Sequence, residues 1–90
     1  MVTIQNVNYP LPCKVLSIGL DMQCHKVVSA SEIIKVDKEN DKFVILCDDG
    51  LKLVLPYKSL SGFYIDNKEN RSMLEDYCKK EYNEWLSRCI

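Results

Sequence analysis

The stretch Phe43-Val44-Ile45-Leu46-Cys47-Asp48-Asp49-Gly50-Leu51-Lys52-Leu53-Val54-Leu55-Pro56 decides the fold of this chain. Five apolar residues run into a turn signal, and a second apolar run leads back to a proline. The Asp-Gly pair at 49–50 is the pair a two-residue type I′ hairpin turn favours, because both central residues of that turn need positive φ. Two strands joined by a tight turn are expected, with Pro56 ending the second. The first strand is unusual. Phe43, Ile45 and Cys47 alternate with Val44 and Leu46, and both sets are apolar. A strand with one wet face would alternate with polar residues, so both faces here call for cover.

Working outward, Ile33-Ile34-Lys35-Val36 reads as a strand before the polar turn Asp37–Lys42, which makes a three-stranded meander. Upstream, Val2-Thr3-Ile4-Gln5, Lys14-Val15-Leu16-Ser17-Ile18 and Cys24-His25-Lys26-Val27-Val28 read as further short strands. Tyr9-Pro10-Leu11-Pro12 reads as an extended connector. Downstream, Tyr57–Gly62 is a turn before the short strand Phe63-Tyr64-Ile65. The period then changes from two to 3.6. Leu74, Cys78, Tyr82, Trp85, Leu86 and Cys89 fall on one helical stripe. Ser72 and Glu75 match a capping box, and Asp66-Asn67 is a competing start six residues earlier. Glu75–Lys79, Asp76–Lys80 and Glu84–Arg88 are spaced for acid-first i,i+4 pairs.

The expected architecture is α+β, in a single domain over 1–90. Strands occupy about 2–65 and one C-terminal amphipathic helix about 70–89. Five to six short strands form either a small antiparallel sheet or a barrel of SH3-like or OB-like size.

Composition excludes several functions. Twelve basic residues against thirteen acidic ones, a formal net charge of −1, leave no bulk attraction for a polyanion. No apolar run is long enough to span a membrane, and the N-terminus lacks the pattern of a signal peptide, so a cytoplasmic setting is expected. Five cysteines, an odd number with no C-x-x-C pair, read as reduced thiols packed as small hydrophobes; no metal and no cofactor are expected. Catalysis finds little to work with. His25 is the single histidine, and on a strand it would face away from Cys24. Three glycines in no phosphate-binding pattern give no nucleotide loop. Asp48-Asp49 is accounted for by the turn.

What is left over is apolar surface. Val54 and Tyr64 can join Val44 and Leu46 on the second sheet face, and the helix stripe offers Tyr82 and Trp85 as cover. Covering a second face within ninety residues is demanding. The expectation is therefore a small non-enzymatic protein-binding module. It would bind another protein or a second copy of itself through Val44, Leu46, Val54, Tyr57, Tyr64, Tyr82 and Trp85. Ten lysines against two arginines, with frequent Asn and Ile, suit AT-rich coding. That usage fits a phage or mobile-element protein that inhibits a host factor, defence proteins included. The rival is a β-barrel that binds nucleic acid or nucleotide on Tyr57, Phe63 and Tyr64 with Lys52 and Lys58. Steep salt dependence of binding would mark the rival.

Overall fold

The computed structural model describes residues 1–88. It begins with a hairpin of β1 (Val2–Ile4) and β2 (Val7–Tyr9), joined through Gln5 and Asn6, whose φ values are 49° and 68°. Two left-handed residues between paired strands make this the type I′ turn of the chain. Only the first of these strands is evident in the sequence, because Val7-Asn8-Tyr9 is short and leads into proline. Gln5 Nε2 donates to the carbonyls of Ser61 (3.3 Å) and Phe63 (3.1 Å), which ties the hairpin to the far end of the sheet.

The main sheet follows. β3 (Cys13–Leu20) turns through residues 21–25 into β4 (Lys26–Asp37), and β5 (Lys42–Cys47) and β6 (Lys52–Pro56) continue the meander. A 3-10 helix (Tyr57–Gly62) then carries the chain across to β7 (Tyr64–Ile65), which pairs with β3 at Val15 and Leu16. The order is β6-β5-β4-β3-β7, all antiparallel, with β6 and β7 as open edges rather than a closed seam. The fold is thus α+β, with a five-stranded and a two-stranded sheet before one helix, α1 (Lys68–Arg88).

Three local expectations change. The strands expected at 24–28 and 33–36 are one twelve-residue strand, β4. Its middle, Ser29-Ala30-Ser31-Glu32, has weak strand preference but is paired with β3 throughout and with β5 from Ser31 on, so tertiary pairing decides it. The Asp48–Gly50 loop is not type I′. Cys47 N–H bonds the Leu51 carbonyl (2.8 Å), Gly50 N–H bonds the Cys47 carbonyl (2.9 Å), and Gly50 alone has positive φ, 86°. That is a three-residue loop closed by a left-handed glycine. The helix starts at the earlier of the two candidate caps. Asn67 Oδ1 accepts from Asn70 N–H at 2.7 Å, and Arg71 reaches back to Asp66 at 2.9 Å. None of the three i,i+4 pairs closes among the described residues, and Cys89 lies outside them.

The two sheet faces are filled differently. Val2, Ile4, Cys13, Val15, Ile33, Phe43, Ile45, Leu60 and Phe63 are buried together beneath the hairpin and the 3-10 helix. Phe63 meets Phe43 edge to face, with ring centroids 5.6 Å apart. An irregularity in β4 between Ile33 and Lys35 inserts one unpaired residue, Ile34. Ile33 and Val36, three apart, therefore both face this core. On the opposite face Leu16, Leu74 and Cys78 are buried outside that cluster, where α1 lies over β3 and β4. The helix covers only half of the face.

Candidate interaction surfaces

The seven candidate residues are distributed over four places. Val44, Leu46 and Val54 share the face opposite the main core, on the β5–β6 half that α1 does not reach. Val44 and Val54 are cross-strand partners, and Val54 is 62% exposed. Antiparallel alternation puts these three side by side because Val44 and Leu46 are two apart in β5 and Val54 lies opposite. Leu51 and Leu53, on the same hairpin, are also exposed, but Leu53 lies opposite Ile45 on the core side, whereas Lys52 lies opposite Leu46 on the Val54 face.

Tyr57 does not join them. It sits in the 3-10 helix and packs against the main core, on the other side of the sheet. Its neighbour in the supposed base-stacking platform, Phe63, is buried in that core. Tyr64 is half-buried on β7, beside α1. Together with Ile18, Gly62, Met73, Leu74 and Tyr77 it lines a mainly apolar groove of about 450 Å³ between sheet and helix. Nothing in the sequence marks this groove, because it arises where β7 stops after two residues.

Tyr82 and Trp85 lie further along α1, beyond the sheet, against the β3–β4 turn. Trp85 is not buried as a fully docked helix would have it; it is 46% exposed. Its ring meets His25 at 4.9 Å between centroids and Tyr82 meets the same imidazole at 5.0 Å, both edge to face, with the Tyr82 and Trp85 rings 6.0 Å from each other. His25 is placed by its turn. Asp21 Oδ1 accepts from the N–H groups of Gln23 and His25, both at 2.9 Å, and Asp21 Oδ2 lies 3.6 Å from His25 Nδ1. These bonds, the one from His25 N–H first, hold the Asp21 carboxyl below the usual range. One residue on, Lys26 Nζ donates to Tyr77 Oη at 3.0 Å and lies 3.7 Å from Glu81. The Tyr77 hydrogen bond, followed by the Glu81 charge, raises the Lys26 ammonium above its ordinary value.

Cys24 and His25 both precede β4 rather than lying on a strand, so strand alternation does not separate them. Both line a cleft of about 160 Å³ with Glu81, Tyr82, Glu84, Trp85 and Arg88. Among the described residues no hydrogen bond joins the Cys24 thiol to His25, and no group of three or more His, Cys, Asp or Glu side chains is arranged to hold a metal. The imidazole rests against two neighbouring aromatic rings of α1, where it anchors the helix to the turn. Burial raises the thiols of Cys13 and Cys78 above their ordinary range, with the Glu32 charge adding to the effect at Cys13.

Among the described residues no helix is long and apolar enough to cross a membrane. Comparison with protein-family models, curated proteins and solved structures finds no match to this chain.

Proposed function

We propose that this chain is a non-enzymatic protein-binding module that docks a protein surface on the β5–β6 face, a second copy of itself being the simplest occupant. One observation carries this: α1 packs on β3 and β4, and on the β5–β6 half of the same face Val54 is 62% exposed beside half-buried Val44 and Leu46. An apolar cluster of Val44, Leu46 and exposed Val54, rimmed by Lys52, suits desolvation against another protein. The nucleic-acid alternative has less support. Its aromatic platform is divided, with Phe63 in the core and Tyr57 packed against it, and the formal net charge of −1 supplies no general attraction for phosphate. An inhibitor of a host protein, which the residue usage suggests, would use this same surface.

The test is sedimentation equilibrium of the wild type and of Val54→Asp over a concentration series up to about 1 mM, the weak end of useful affinities. It is paired with titration of single-stranded oligonucleotides at several salt concentrations. Concentration-dependent association that Val54→Asp abolishes is the expected result. A monomer at every concentration that binds oligonucleotide with steep salt dependence would overturn the proposal.

A further inference from the structure

A second surface is built from backbone. Sheet edges attract strands because their outward N–H and C=O groups have no partner, and folded proteins blunt them with proline, charge or short length. At the β6 edge Lys52 supplies a charge and Pro56 lacks an N–H. At the other edge β7 shields β3 only at Val15 and Leu16, so Ser17–Leu20 continues uncovered. Hydrogen-bond parity fixes which groups are free there. Asp21 N–H bonds the His25 carbonyl at 3.0 Å on the β4 side, and the Lys14 carbonyl accepts from Asp66 at 3.1 Å on the β7 side. Odd-numbered residues of β3 therefore bond to β4, and even-numbered ones point outward. Ile18 and Leu20 present two N–H groups and two carbonyls, and none has a backbone partner on that side among the described residues.

The groove between sheet and helix opens beside this edge. Ile18 lines it with Gly62, Tyr64, Met73, Leu74 and Tyr77, and none of the six is a Lys, Arg, Asp or Glu. A Cβ added at Gly62 would meet nothing within 4 Å, so the space beside the edge is open. Its volume of about 450 Å³ is in the range of ligand pockets, about 300–1,000 Å³. A small apolar molecule would fill the groove but leave the four backbone groups unpaired. An extended chain satisfies both, with its backbone on Ile18 and Leu20 and alternate side chains in the groove.

We infer that the free edge of β3 at Ile18–Leu20, with the adjoining groove under α1, binds an extended, uncharged apolar segment of another protein by strand addition. This site is separate from the β5–β6 face and does not depend on it.

The experiment follows backbone amides by NMR in the intact chain during titration with a capped octapeptide of alternating valine and threonine. The expected result is shift changes and slowed hydrogen exchange at Ile18 and Leu20. Methylating alternate peptide nitrogens should weaken binding about tenfold or more, and so should Gly62→Leu, which fills the groove where the backbone is unstrained. Val54→Asp should leave peptide binding unchanged, which distinguishes this proposal from the β5–β6 one. Three results would overturn it: no response up to about 1 mM peptide, protection at Lys52 and Val54 instead, or equal binding by the methylated peptide. Concentration-dependent protection of Ile18 and Leu20 without peptide would assign the edge to a second copy and overturn it equally.

Discussion

Leu16→Ala is expected to destabilise this protein more than Trp85→Ala, although tryptophan is much the larger side chain. Leu16 is 0% exposed and lies between Ala30 of β4 and Tyr64 of β7, beneath α1. Its neighbours are held in paired strands and cannot collapse far into the space it leaves. A loss of about 3–4 kcal/mol follows, inside the usual range of about 2–5 for Leu→Ala in a core. Trp85 is 46% exposed. Roughly half of a ring that buries about 200 Å² when enclosed, at about 25 cal/mol per Å², is worth about 2.5 kcal/mol. The unfolded chain already shelters some of that area, so about 1–2 kcal/mol is expected. Domains of this size have roughly 5–13 kcal/mol in total, so both variants fold. Urea unfolding followed by far-UV circular dichroism gives the ranking, since fluorescence is lost with the single tryptophan. If Trp85→Ala cost as much as Leu16→Ala, the distal half of α1 would be docked as firmly as Leu74 and Cys78, refuting the half-exposed placement of Trp85 against the β3–β4 turn.

His25→Ala should cost about 1 kcal/mol and red-shift the Trp85 emission, because it removes one partner from two edge-to-face contacts; unchanged emission would show the contact is not made in solution. Asn67→Ala should cost about 1 kcal/mol by thermal melt, with Ser72→Ala nearly silent, and the reverse order would move the helix start. The Asp21 carboxyl is held low chiefly by the His25 N–H and that of Asp37 chiefly by the Asn40 side-chain amide. A carboxyl with a depressed folded-state pKa stabilises above its unfolded value of about 3.9, and this is lost as pH falls through the folded one. The urea midpoint should therefore fall below about pH 4 and do so less steeply in Asp21→Asn/Asp37→Asn; equal steepness would remove these groups from the account. Iodoacetamide followed by peptide mapping should label exposed Cys24 well before buried Cys13 and Cys78, whose thiols burial raises; simultaneous labelling would contradict the packing of both.

The meander was legible because Phe43–Cys47 and Leu51–Leu55 are strongly apolar and a glycine separates them. The helix was legible from its stripe. β2 and the middle of β4 were not: Val7-Asn8-Tyr9 is three residues held by β1 alone, and Ser29–Glu32 has weak strand preference and is held by its neighbours in the sheet. The loop at Gly50 shows a finer difficulty. Asp-Gly marks a left-handed glycine reliably, but one more residue in the loop changes the turn around it. For the interaction residues, double-sided apolarity at Val44 and Leu46 pointed to a surface needing cover. How far α1 would extend across it depends on the angle at which Asp66 and Asn67 launch the helix, which no residue pattern encodes. The groove at Ile18 has no sequence signal, because it is defined by where β7 ends.

The extra residue in β4 bears on how this chain tolerates evolutionary change. With Ile34 unpaired, Ile33 and Val36 reach the core together and Lys35 is turned outward. Deleting Ile34 would leave Ile33 opposite Ile45, Lys35 opposite Val44 and Val36 opposite Phe43, each on its present face, so the strand can lose this residue without a shift of register. Deleting a residue from the regularly paired run 26–31 would instead put one half of the strand a step out of phase with the other and turn its apolar set to the wrong face. Related chains should therefore vary in length at this bulge before they vary elsewhere in the strand.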